Sequence, residues 1–86
     1  MIKLVVPASI QHYEDQLESF LLGMIHKLDL NSHKDTPTTE TIERILELLF
    51  QEVVEYKNES GRKRRLVELM DVANFAFLLY LAERAK

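Results

Sequence analysis

Hydrophobic and polar residues recur with the period of an α-helix along three segments of the chain. The first segment runs from about Ile10 to Leu28, and Ser9 is a candidate N-cap in front of it. Gly23 interrupts this segment, which indicates a place where a neighbouring helix packs closely. The apolar face of the segment consists of Tyr13, Leu17, Phe20, Leu21, Met24 and Leu28.

A second helix is predicted from Thr36-Pro37 to about Asn58, because threonine suits an N-cap and proline suits the first helical turn. Further apolar residues lie beside its main stripe, so this helix is expected to pack on more than one side. The main stripe consists of Ile42, Ile45, Leu46, Leu49, Val53 and Tyr56, and the residues that widen it are Leu48, Phe50 and Val54.

The third helix is predicted to begin in the basic cluster of residues 62–65 and to continue to the C-terminus, after a break at residues 58–61. In front of the first helix, residues 2–7 have the pattern of an extended segment that ends at a proline. No repeat or domain boundary interrupts this order. The pattern therefore predicts one all-α domain over residues 1–86, in which the second and third helices form a hairpin.

The apolar surfaces of the second and third helices are large for a chain of 86 residues, which can bury only a modest core by itself. We therefore expect a symmetric homodimer or a tetramer. The residues of the third helix that lead to this expectation are Phe75, Phe77, Leu78, Leu79 and Leu81.

Charge and cysteine content narrow the classes of partner and site. The net charge is −3, which gives no general attraction to nucleic acid polymers or anionic membranes. The chain has no cysteine, which excludes thiolate metal sites and is compatible with a reducing compartment. The N-terminal apolar run is too short for a signal peptide, and residues 72–82 are too few to span a bilayer. We expect a soluble, cytoplasmic protein without membrane or nucleic acid partners.

Acidic residues recur at intervals of three within two of the apolar helices. Glu52 and Glu55 lie on the second helix, and Glu68, Asp71 and Asn74 follow one another on the third. Residues three apart lie on adjoining turns of one helix face, and a tight hairpin brings the two faces together. Ionised carboxylates among apolar neighbours need a partner, and oxygen ligands without His or Cys suit Mg²⁺ or Mn²⁺.

Each of these residues also has a structural explanation. The Glu52 and Glu55 pair is compatible with a solvated surface, and Glu68 is within reach of Arg64 or Arg65. Asp71 and Asn74 are compatible with a buried hydrogen-bonded pair that fixes the register of the helices. The order of the two acidic pairs across a short break is the feature that favours a metal site.

The order of these motifs resembles that of the MazG-like, all-α nucleoside triphosphate pyrophosphohydrolases. The resemblance extends over about residues 20–79 and includes a segment in front of the metal helices, Met24-x-x-Lys27-Leu28-x-x-Asn31-x-His33-Lys34. The motif that carries it is Glu52-x-x-Glu55 followed by Glu68-x-x-Asp71-Val72-Ala73-Asn74-Phe75-Ala76. The resemblance implies hydrolysis of an NTP or dNTP to the monophosphate and pyrophosphate. It also implies a homodimer or dimer of dimers whose long helices pair into a four-helix bundle.

The resemblance further implies roles for single residues. Mg²⁺ would be held by Glu52, Glu55, Glu68 and Asp71, with Glu55 and Asp71 as the central ligands. Glu52 would be a ligand or the base that orients water, and the candidate catalytic residues are Glu52, Glu55 and Lys34. The candidate substrate-binding residues are Lys27, His33 and Lys34 for the phosphates, and Asn31 and Asn74 for the nucleoside. Asn31 could instead cap the first helix, and Asn74 could instead orient Asp71.

Two departures from the family pattern bear on activity. Gln51 stands where the family usually has a glutamate, and Lys34 is followed by Asp35 rather than by glycine and tryptophan. A non-catalytic helical dimerisation or regulatory module is therefore an alternative. Related branches of the superfamily, the dUTP/dCTP hydrolases and the phosphoribosyl-ATP pyrophosphohydrolases, are further alternatives for the substrate.

Overall fold

The computed structural model describes residues 5–31 and 42–85, and all the regular secondary structure in these two ranges is helical. A short 3₁₀ segment, Ala8–Tyr13, leads into helix α1, Glu14–Leu30. Helix α2 is Ile42–Asn58 and helix α3 is Arg62–Arg84. The predicted all-α fold class is confirmed.

The first α-helix starts later than the sequence pattern suggested. Ser9 lies inside the 3₁₀ segment, which follows Pro7, and it does not cap an α-helix. The backbone leaves the helical region at Ile10, with φ −122° and ψ 16°, and α1 begins only at Glu14. A kink at Ile10 therefore divides the segment, and tight 3₁₀ turns stand where the first α-helical turns were predicted.

Helices α2 and α3 form the predicted hairpin, and α1 packs against α3. A three-residue turn, 59–61, connects α2 to α3. Within it, the Glu59 carboxylate accepts hydrogen bonds from the amides of Ser60 and Gly61. Both amides belong to the residues just before α3, and no side chain caps the helix itself. The predicted start of the second helix at Thr36-Pro37 lies outside the described residues, as does most of the predicted extended segment.

Gly23 marks the close approach of α1 to α3, as its sequence position predicted. A Cβ atom at Gly23 would lie 2.9 Å from the Cε atom of Met70, so the glycine leaves room for this methionine. One residue further along α1, the Met24 carbonyl accepts a hydrogen bond of 3.1 Å from the Asn74 side chain. These two contacts fix how α1 is placed along α3.

The hairpin buries one face of α2 and leaves a second apolar stripe uncovered. Ile45 is completely buried, and Leu49, Glu52 and Tyr56 follow it on the same helical face at intermediate exposure. Leu46, Phe50 and Val53 form a neighbouring stripe and are 39%, 60% and 42% exposed. Among the described residues, no helix is long and apolar enough to cross a membrane.

Candidate metal centre

Three glutamates from the two helices of the hairpin converge on one point. Glu52 and Glu55 come from adjoining turns of α2, and Glu68 comes from α3. Each offers a carboxylate oxygen, and these three oxygens lie within 4.8 Å of one another. Glu52 and Glu68 are half-buried, whereas Glu55 is exposed. The arrangement is a concentration of negative charge that opens to solvent on the side of Glu55.

We define these three residues, Glu52, Glu55 and Glu68, as the acidic cluster. One oxygen of Glu52 and one of Glu68, the Oε2 atom in each, are buried without a hydrogen-bond donor. Ionised carboxylates cannot donate to one another, so the cluster needs a shared proton or a cation to satisfy these oxygens.

The environment of the cluster favours protonation. Burial, followed by the negative charge of Glu55, raises the pKa of Glu52 to about 8. Burial also raises the pKa of Glu68, with the charge of Asp71 as a further cause. Groups that are costly to ionise at neutral pH without a counter-charge are common at functional sites.

Asp71 lies beside the cluster rather than at its point of convergence. Its charge acts on Glu52 and Glu68, but its carboxylate is held by Lys27, whose Nζ atom is 3.3 Å from Oδ1 of Asp71. We expected Lys27 at the substrate phosphates and Asp71 among the central ligands. In the structure these two residues pair with each other, because α1 crosses α3 at this position.

Asn74 is a structural contact between α1 and α3 in the described fold. It is 7% exposed, and its Nδ2 atom donates to the carbonyl of Met24, while its Oδ1 atom is buried without a partner. The partner found is a main-chain carbonyl rather than the Asp71 side chain. The alternative that Asn74 fixes helix register agrees with this geometry.

Of the other candidate substrate residues, Asn31 lies at the C-terminal end of α1. Its side chain donates to the carbonyl of Lys27 at 3.0 Å, which is the capping role considered as an alternative for it. His33 and Lys34 lie outside the described residues. Gln51 is exposed, and it lies four residues before Glu55, so it is on the solvent side of α2 beside the exposed member of the cluster.

Sequence reasoning did not predict that an arginine packs on a tyrosine one helical turn from the cluster. The guanidinium of Arg65 lies 4.7 Å from the centre of the Tyr56 ring. Tyr56 is four residues after Glu52, and Arg65 is three before Glu68, so the pair forms the next layer of the hairpin. A groove of about 320 Å³ opens here, and its lining consists of Tyr56, Ser60, Arg62, Arg65, Leu66 and Leu69. Within the described ranges, Glu68 forms no ion pair with Arg64 or Arg65, so the surface-pair explanation for Glu68 is wrong.

Comparison of the chain with protein-family models, with curated proteins and with solved structures gives no match. The function therefore has to be argued from the geometry of the acidic cluster and its surroundings.

Proposed function

We propose that the protein is a Mg²⁺-dependent nucleoside triphosphate pyrophosphohydrolase that cleaves an NTP or dNTP to the monophosphate and pyrophosphate. One observation carries the proposal. Carboxylates from two helices converge within 4.8 Å, and two of their buried oxygens have no partner. The motif spacing that resembles the MazG-like enzymes supports the same assignment, since it comprises these three glutamates and Asp71.

The donor set fits a hard divalent cation. The cluster offers oxygen atoms only, and Mg²⁺ and Mn²⁺ prefer carboxylate and water oxygens. Glu52, Glu55 and Glu68 would hold the ion, and Asp71 is adjacent to complete the set. The partnerless Oε2 atoms of Glu52 and Glu68 would gain the counter-charge that they lack. When bound, the ion would supply charge neutralisation for the triphosphate and would acidify a coordinated water.

Residues of the cluster and of the segment before α2 have separate roles in the proposed hydrolysis. Glu55 is exposed and presents its carboxylate on the side from which a nucleotide can enter. Glu52, whose pKa is raised, would be either a ligand of the ion or the base that accepts a proton from the attacking water or orients that water. The water oxygen would form a new bond to the α-phosphorus while the bond from that phosphorus to the α–β bridging oxygen breaks. Pyrophosphate would leave with the electrons of the broken bond. Lys34 and His33 remain candidates for holding the phosphates.

We further propose that the chain acts as a homodimer or tetramer in which hairpins pair into a four-helix bundle. In the described ranges Ile45 and Asn74 alone are classed as buried, which is a very small core for a stable domain. The uncovered stripe of Leu46, Phe50 and Val53 on α2 has the helical spacing that such a pairing needs. On α3, Leu66 and Tyr80 are 53% and 56% exposed and add to the apolar surface available to a second copy.

The pyrophosphohydrolase proposal predicts the product as well as the activity. Purified protein incubated with each common NTP and dNTP in Mg²⁺ or Mn²⁺ should release pyrophosphate and the corresponding monophosphate from at least one of them. Ion-exchange chromatography of the products identifies both. Release of orthophosphate with a diphosphate indicates a different reaction, and no hydrolysis across the panel would contradict the proposed activity.

The dimer proposal predicts the mass in solution. Light scattering at micromolar concentration should return at least twice the chain mass of 10.1 kDa. Phe50→Lys places a charge in the exposed stripe of α2 and should shift the protein toward the monomer. Asn58→Lys adds the same charge at the exposed end of the same helix and should leave the mass unchanged. A wild-type mass of one chain would refute the proposed assembly.

The alternative function is a non-catalytic helical dimerisation or regulatory module. The observation that favours it is the bond between Asn74 and Met24, because it uses a conspicuous polar side chain for helix packing. The small core and the exposed apolar stripe suit such a module equally well. This alternative predicts neither metal binding nor nucleotide hydrolysis, so the two functions differ in every experiment with Mg²⁺.

A further inference from the structure

Lys27 of helix α1 places its ammonium group at the edge of the acidic cluster, beside Asp71. Lys27 follows Gly23 by four residues, so it lies one turn further along the face of α1 that contacts α3. Gly23 against Met70 and the Met24 carbonyl against Asn74 hold the two helices together at this place. The Lys27 and Asp71 side chains are only 27% and 21% exposed, so the ion pair is part of the packed interface.

The partner of Lys27 belongs to the same charge system as the cluster. Asp71 lies three residues after Glu68 on α3, and its charge acts on both Glu52 and Glu68. The Lys27 ammonium therefore contacts Asp71, the carboxylate beside the cluster, and lies at the edge of the group of four carboxylates. A divalent cation that binds here has to compete with the Lys27 ammonium for the Asp71 carboxylate, because Lys27 is held in place by its packed helix.

We propose that Lys27 is an internal counter-cation that competes with the divalent cation for Asp71 and so sets the metal affinity of the site. The inference rests on the proposed metal role of the cluster. A divalent cation that takes Asp71 as a ligand has to displace the Lys27 ammonium. The displaced group stays within reach, where the phosphate oxygens of a nucleotide offer it a new anionic partner. Lys27 is thus a positioning residue whose ion-pair partner changes from the Asp71 carboxylate to a phosphate of the nucleotide.

The proposal predicts in which direction the metal affinity changes when the charge of Lys27 is removed. Like charges repel, and the repulsion between an ammonium and a divalent cation a few ångströms apart is large in a partly buried site. Removing the ammonium therefore strengthens metal binding, by about tenfold or more, since each 1.36 kcal/mol corresponds to a factor of ten. A lysine that only packs α1 against α3 predicts the opposite result, because its loss would loosen the site and weaken binding.

The test is calorimetric titration of Mn²⁺ into the nucleotide-free protein, compared among wild type and three variants. Lys27→Met keeps the length of the side chain and removes the charge, and it should bind Mn²⁺ about tenfold more tightly or better. Lys27→Arg keeps the charge and should stay close to wild type. Lys57→Met, a matched control at an exposed position of α2, should also stay close to wild type.

Unchanged or weaker binding by Lys27→Met, with wild type binding normally, would overturn the inference and leave the metal site standing. Absence of Mn²⁺ binding by wild type would instead overturn the proposed function together with the inference. If Lys27→Met does not fold, as judged by circular dichroism, the wild type still gives an answer. The ¹⁵N-detected ammonium signal of Lys27 should move when Mg²⁺ is added without nucleotide, and an unmoved signal with metal bound would contradict the displacement.

Discussion

Replacing Glu55 with alanine should lower the turnover of nucleotide by at least about 100-fold, because a ligand of the cation contributes several kcal/mol of charge stabilisation in the transition state. Glu55 is the exposed member of the cluster, so truncation removes a carboxylate without opening a cavity in the core. The far-ultraviolet circular dichroism and the melting temperature should stay close to those of wild type. Initial rates of pyrophosphate release at saturating Mg²⁺ provide the measurement.

Glu47→Ala is the matched control for this variant. Glu47 lies on the same helix and is 66% exposed, and its surface ion pair with Arg44 contributes little to stability. Its turnover should equal that of wild type. Equal turnover by Glu55→Ala and Glu47→Ala would show that the cluster does not carry the reaction, whatever the activity of the wild-type protein.

The second large effect concerns stability as a function of pH and metal. Glu52 holds its proton more tightly in the folded state than in the unfolded state, where its pKa is near 4.5. Its protonation therefore stabilises the fold fully below that value, and the stabilisation is lost as the pH rises through about 8. The melting temperature of the metal-free protein should accordingly fall between about pH 5 and about pH 9.

Mg²⁺ should reverse this loss. At a concentration about 100-fold above its dissociation constant, the ion adds about 2.7 kcal/mol through linkage, which corresponds to a rise of about 10 to 20 °C for a domain of this size. Glu52→Gln removes the group that must ionise, so its melting temperature should depend less on both pH and Mg²⁺. Calorimetric scans of both proteins at pH 6 and pH 8, with Mg²⁺ or a chelator, provide the measurement. A pH profile that is the same in Glu52→Gln and wild type would locate the titrating group elsewhere.

Spacing along a single helix was enough to predict much of this arrangement. Residues three apart share a helix face whatever the tertiary context, so Glu52 and Glu55 could be grouped from the sequence alone. The short break at residues 58–61 then made a hairpin the simplest connection, and the hairpin brings Glu68 to the same place. Gly23 could also be interpreted from the sequence, because a glycine in a helix has few other uses.

The contacts that depend on the crossing of two helices could not be predicted in this way. The partner of Asp71 is set by where α1 lies on α3, and nothing in the local sequence specifies that Lys27 reaches it. The same crossing gives Asn74 a carbonyl of α1 as its partner rather than a neighbouring side chain. The predicted start of α1 was wrong for a different reason, since the backbone kinks at Ile10 and forms 3₁₀ turns where periodicity alone suggested an α-helix.

Direct titration of Mg²⁺ and Mn²⁺ into the protein tests the central claim, which is that the acidic cluster binds a divalent cation. Wild type should bind with measurable heat, and Glu52→Gln, which removes one carboxylate of the cluster while keeping the shape of the side chain, should bind at least about tenfold more weakly. Glu47→Gln should behave as wild type. Absence of binding by wild type, or equal binding by Glu52→Gln, would contradict the assignment of this cluster as the metal centre.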